Sequence, residues 1–218
     1  MTNETALKKR AKQLLVAMTQ RDRYIYALSP ETDNRNTAAV IGALLSDRGI
    51  AQVADEADGR VVKYATDGGA QFIVFDNREL DIVFVEAAGS GVIPVMQEIL
   101  QRTGFIAQSK LLGVALDVGR DDAPRALRVL AHMAVAWDED WTDLFVLHLA
   151  SPDMVVRRSA IDALTLAAMV AQEFGPAREL LAEAARREKM PKLAEVIADA
   201  GRVVGAAAGD PIDLTAPS

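Results

Sequence analysis

Between residues 60 and 87 apolar side chains recur at every second position, and from residue 92 onward at every third or fourth. The chain therefore has to satisfy two packing periods, that of a pleated strand and that of a helix. The segments RVVKYA (60–65), AQFIVFD (70–76) and LDIVFVEA (80–87) read as three strands, because Val, Ile, Phe and Tyr suit a pleated surface. Asp67-Gly68-Gly69 and Asp76-Asn77-Arg78-Glu79 supply turn chemistry between them, so an antiparallel meander is expected. A small sheet needs a cover on its apolar face. Two upstream helices offer one: residues 5–20, striped by Leu7, Ala11, Leu14, Leu15 and Met18, and residues 36–47, with Val40, Ile41, Leu44 and Leu45 inward. Ser29-Pro30-Glu31 has helix-start chemistry, and residues 50–57 read as a further short helix.

The second half reads as helix after helix, with Pro or Gly marking the joints. Residues 92–102, 106–118 and 123–137 come first, with Leu127, Leu130, Ala134 and Trp137 as the stripe of the third. Helices opening at Gly175-Pro176 and Met190-Pro191 come last, the final one with Leu193, Val196, Ile197, Ala200, Val203 and Val204 inward. Between them lies the most informative stretch, residues 141–170. Trp141, Leu144, Phe145 and His148 share one helix face; Ser151-Pro152-Asp153 turns the chain; Val156, Ala160, Ala163, Leu164 and Ala167 form the inner stripe of the next helix. In this reading Ser151 is the N-cap, Pro152 takes the first helical position and Asp153 faces the positive end of the helix dipole. Arg158 and Asp162, four apart, are placed to pair on the outer face.

The run Leu149, Ser151-Pro152-Asp153, Val156-Arg157, Ala160 and Ala163-Leu164 resembles the HEAT repeat, with its Pro-Asp turn, Val-Arg step and Ala-x-x-Ala-Leu core. The resemblance covers about thirty residues. It implies stacked helical hairpins, and it implies for Asp153 and Arg157 the role of linking neighbouring repeats, with Pro152 and Val156 as repeat positions. The fold expected is α+β and mostly α: a three-stranded sheet with helices over residues 1–91, a HEAT-like array over 92–205, and a frayed tail over 206–218.

Chemistry-bearing motifs are sparse. There is no Cys in the 218 residues, which removes disulfides and thiolate zinc sites and suits a cytoplasmic setting. The first residues lack the apolar core of an export signal, and no apolar run reaches the ~20 residues that cross a bilayer. A formal net charge of −7 argues against nucleic acid as the main partner, since phosphate contacts need clustered Lys and Arg, and suits a basic protein partner or plain solubility. Lys8, Lys9, Arg10 and Lys12 read as a solvated helix face. Gly89-Ser90-Gly91 stands between a strand and a helix, where nucleotide loops occur, but a third glycine is missing and Pro94 follows at once, so a plain junction is the simpler reading. Neither histidine has a partner at metal-ligand spacing. No cofactor or metal is expected.

Two charged groups stand out. Arg125, Arg128 and His132 fall at i, i+3 and i+7 of one helix, offset from its apolar stripe. Asp138, Glu139, Asp140 and Asp143 form the densest acidic cluster, with Asp140 in helix-capping position. These are the expected partner-facing charges. The expected function is that of a non-catalytic protein-binding module (an adaptor, assembly or immunity factor) in an Ala-rich, bacterial-looking chain. Two other readings stand beside it: an enzyme or ligand-binding protein with a small-molecule pocket at the domain junction near Gly89–Gly91, and self-assembly through the uncovered face of the last helix.

Overall fold

The computed structural model describes residues 23–28, 34–56 and 60–209. The helix expected over 5–20 with its basic face, the Ser29-Pro30-Glu31 cap and the tail beyond Gly209 lie outside the described residues. The fold is α+β and mostly helical, with one antiparallel sheet. It divides into two compact units, one ending at Phe105 and the other starting at Ile106.

The first unit contains β1 (Arg23–Ala27), α1 (Asn34–Asp47), β2 (Ala51–Glu56), β3 (Val61–Ala65), β4 (Gln71–Asn77), β5 (Ile82–Ala88) and α2 (Val92–Thr103). The sheet has five strands rather than three, in the order β1-β5-β4-β3-β2, every neighbouring pair antiparallel. The expected meander is β3–β5. The other two strands are edges. β1 pairs with β5 in the register Arg23↔Ala88 to Ala27↔Phe84, a partner far away in sequence. The segment expected as a helix over 50–57 is instead strand β2. Its side chains are nearly all exposed and its one large apolar residue, Val53, is 61% exposed, so no burial period betrays it. Backbone pairing to β3 is what makes it a strand.

Because β1 and β2 lie at opposite edges, the segment joining them has to cross the sheet. α1 lies on that path and packs over β4 and β5. Ile41, Leu44 and Leu45 of α1 meet Phe72 and Val74 of β4 and Val83, Val85 and Ala87 of β5. Phe72 stands opposite Ala87, and Val74 opposite Val85, so the alternation of each strand puts one set of side chains against the helix. Each such side chain contributes about 1.5–3 kcal/mol on leaving water. On the other face Phe75 and Phe84 face each other across the ladder, their rings stacked 6.2 Å apart. β5 lies between β1 and β4 and is buried on both faces, from Ile82 at 2% exposed to Val85 at 0%.

α2 belongs to this unit. Val92, Met96 and Ile99 enter the same core, Arg48 pairs with Glu98, and Phe105 sets its ring edge-on to Tyr26 at 6.1 Å. The division therefore falls after Phe105 and not at the glycines of residues 89–91. Those glycines have a backbone reason. Gly89 has φ 94°, and a Cβ there would lie 2.6 Å from the carbonyl oxygen of Gly69. Only a residue without a side chain lets the chain leave β5 against the β3–β4 turn.

The second unit is a run of helices: α3 (Gln108–Ala115), α4 (Ala123–His132), α5 (Glu139–Leu149), α6 (Met154–Ala171), α7 (Gly175–Arg187) and α8 (Pro191–Ala207). Consecutive helices pair as α3/α4, α5/α6 and α7/α8, and α6 packs against both α4 and α8. Ala160, Ala163 and Ala167 are fully buried on α6, and small side chains let the inner helices approach closely. α4 stops at His132, short of the expected Trp137. The chain turns there, and the Trp137 ring stacks on Phe145 of the next helix at 5.8 Å.

The caps also shift. Asp138, in extended conformation, caps α5 by accepting from the Asp140 N–H at 3.0 Å, so Asp140 is a first-turn residue and not the cap. Asp153 likewise caps α6 through the Val155 N–H at 2.7 Å, and Ser151, expected as the cap, accepts from the Asp153 N–H at 3.2 Å one step earlier. Pro152 consequently stays outside the helix.

Replacing Gly89 with alanine is expected to lower the stability of the first unit by roughly 2 kcal/mol. Gly91→Ala, whose added Cβ meets open space, should lose less. The urea midpoints of the two variants check this, and equal midpoints would remove the close approach to Gly69 as the reason for the glycine.

Candidate functional site

Within the second unit, α6 contacts α4 and α8 extensively, whereas α5 and α7 touch over a shorter stretch. The gap between α5 and α7 forms a groove of about 450 Å³. Its walls are Val146, Leu149 and Ala150 at the end of α5, and Leu180, Ala184 and Arg187 on α7. Its floor is Ile161 of α6 with Leu193 and Ile197 of α8. One end is closed by the two hairpin turns, through Ser151, Arg157, Glu188 and Met190. The sequence builds such a gap because α5 is apolar almost all round. Trp141, Leu144, Phe145 and His148 bury inward, while Val146 and Leu147 remain 42% exposed on the other side.

Arg157 sets the geometry of the closed end. Its Nη1 donates to the carbonyl oxygens of Ser151 (2.8 Å) and Pro152 (3.0 Å), in its own hairpin turn. Its Nε donates to Glu188 Oε2 at 3.0 Å, in the turn of the following hairpin. The two side chains are 15% and 8% exposed. Glu188 Oε1 also accepts the backbone N–H groups of Lys189 and Met190, at 3.0 and 2.9 Å, at the entry to α8. The Met190 N–H, and after it the Arg157 guanidinium, hold the Glu188 carboxyl below the usual range against the opposing effect of burial. Of the two residues for which the HEAT resemblance implies a linking role, Arg157 spans neighbouring hairpins, and the Asp153 carboxylate caps its own helix.

Two further links tie the hairpins. At the opposite ends of the helices the Trp137 N–H donates to Glu173 Oε1 at 2.9 Å, joining the α4–α5 and α6–α7 connections. His148 is fully buried on α5, and its Nε2 donates to the Ala115 carbonyl at 2.7 Å, at the end of α3. Among the described residues its Nδ1 has no hydrogen-bond partner, so the ring is neutral with the proton on Nε2. Burial pushes its pKa down, and the bond to Ala115 offsets part of that.

The expected partner-facing charges lie elsewhere. Arg125 is exposed on α4, with Arg128 and His132 half-buried beside it; Asp138, Glu139, Asp140 and Asp143 are exposed at the start of α5. None of the seven lines the groove. Among the described residues no cluster of His, Asp and Glu is arranged to hold a metal, and no helix is long and apolar enough to cross a membrane. Comparisons with protein-family models, curated proteins and solved structures found no match. The groove itself escaped the sequence reading. Its only local signals are the outward apolar pair Val146-Leu147 and the dense basic run from Arg186 to Lys192.

Two stability measurements follow from these links. The folded protein holds fewer protons on His148 than the unfolded chain does at and below its ordinary pKa of about 6.5, so stability is full above that value and falls as acid forces a proton onto the buried ring. Urea unfolding at pH 7 and at pH 5.5 should show this loss, and His148→Gln, which keeps a donor for Ala115, should flatten it. An unchanged slope would exclude His148. Separately, Arg157→Ala and Glu188→Ala should each lower stability on the order of 2 kcal/mol, and the double variant by clearly less than the sum. Strict additivity would mean that the pair is not coupled.

Proposed function

We propose that this chain is a non-catalytic protein–protein interaction module, an adaptor, assembly or immunity factor built on a HEAT-like array. The observation that carries the reading is the apolar surface gathered at the α5–α6 turn. Val146 and Leu147 in the last turn of α5, and Met154 and Val155 in the first turn of α6, are 41 to 65% exposed; Val146 lines the open groove, to which Met190 adds another exposed side chain. Large aliphatic side chains held in water next to a concave apolar wall mark contact surfaces more often than solvent-facing ones. Stacked hairpins present such edges repeatedly, and in solenoid proteins those edges are where partners dock.

The net charge of −7 disfavours nucleic acid as the partner, and the lack of cysteine supports a reducing, cytoplasmic setting. Arg125, Arg128 and His132, and the acidic group from Asp138 to Asp143, serve in this reading as a second, charged contact. Self-association is the rival reading, since Val203 on α8 is 49% exposed.

A photo-crosslinking residue placed at Val146, at Val155, at Asp143 and at Val203, expressed in the native host, tests this. Adducts with a different protein are expected from Val146 and Val155. Adducts from Asp143 alone would move the contact to the charged rim, adducts of twice the chain mass from Val203 would favour self-assembly, and none from any position would sink the interaction reading.

A further inference from the structure

The chain is acidic as a whole, yet the groove carries the opposite sign. Its lining holds three cations, Arg157, Arg187 and Lys189, against two carboxylates, Glu183 and Glu188. Both carboxylates are already engaged. Glu188 is 8% exposed and faces Arg157 and two backbone N–H groups. Glu183 is shared between two guanidiniums, those of Arg186 and Arg187, with Arg187 Nη2 at 2.6 Å. One carboxylate cannot neutralise two cations, so a positive charge is left over there. Lys189 is exposed and, among the described residues, its ammonium pairs with no carboxylate, while Lys192 follows, also exposed, in the first turn of α8. The side chain of Arg187, which lines the groove, is 69% exposed, so its charge is open to whatever enters.

Resting on the interaction reading above, we infer that the groove binds an acidic amphipathic peptide segment of the partner. Its aliphatic side chains lie against Leu149, Leu180 and Ile161, and its carboxylates meet Arg187 and Lys189. The volume of about 450 Å³ takes a few side chains of a segment and not a folded surface. Apolar contact supplies affinity, and Arg187 and Lys189 select the sign of the charge. A basic segment, which the net charge of the chain would favour, meets like charges at this place. The preference at the groove is thus the reverse of the preference expected from composition.

The test pans a random-peptide phage library against the full chain and measures the enriched peptides by fluorescence anisotropy. Enriched peptides should combine Asp or Glu with Leu, Ile or Val. Their affinity should fall about tenfold or more on the R187E/K189E double variant and on Val146→Glu, and should weaken with salt. Peptides with their acids exchanged for lysine should bind the double variant better than the parent chain, a gain that loss of folding would not produce. All three positions are exposed, and circular dichroism checks that the variants stay folded. Enriched peptides that are neutral or basic, or that ignore these substitutions, would overturn the inference. So would saturable myristate uptake at the groove with no peptide enriched. If a partner still crosslinks at Val146 while no acidic peptide is enriched, the inference fails and the interaction module stands. If neither signal appears, both fail.

Discussion

The Arg157 side chain is mostly withdrawn from water, at 15% exposed, and a guanidinium keeps its charge at any pH a protein meets. Burial of such a group is tolerable only where carbonyl oxygens and a carboxylate surround it. Its own hairpin supplies the carbonyls of Ser151 and Pro152; the next hairpin supplies Glu188. The third hairpin is therefore held at the spacing that satisfies Arg157. Glu188 answers a second demand as well, because its other oxygen takes backbone N–H groups where the chain enters α8. One ion pair thus sets both the angle of the last helix and the closed end of the groove.

The groove follows from a difference between layers. α6 presents alanines to its neighbours and lets them come close, whereas α5 and α7 carry Leu149, Leu180 and Arg187, whose bulk keeps the outer helices apart. Close inner contact with loose outer contact leaves a cleft that no side chain of the array fills. The Trp137–Glu173 bond at the other end of the helices, and the His148–Ala115 bond toward the first hairpin, tie the neighbouring hairpins together.

Legibility varied with how local the cause of each feature was. β3, β4 and β5 could be read because each is rich in Val, Ile, Phe and Tyr and is bounded by turn residues, and α6 because its alanine and leucine stripe repeats at helical spacing. β2 could not, since its only large apolar side chain points to water and the strand exists through hydrogen bonds to β3. β1 carries Tyr24, Ile25 and Tyr26, residues that favour strands, but its partner lies at the far end of the unit. The acidic cluster from Asp138 to Asp143 was visible by density alone. The structure turns its first member into a helix cap and leaves the others exposed, away from the groove.

By itself the sequence determined that β3, β4 and β5 are extended and that the second half is helical, where the chain changes period, and that neither disulfides nor thiolate metal sites contribute. These are consequences of side-chain spacing and residue chemistry, and they act over a few positions. Tertiary structure alone decided that β1 closes the sheet beside β5, that Arg157 finds Glu188, that His148 finds the Ala115 carbonyl, and that the cations near Lys189 border an apolar groove. The first three join residues between 31 and 65 positions apart. Spacing along the chain carries no information about such pairs; they appear only once burial has brought the helices and strands together.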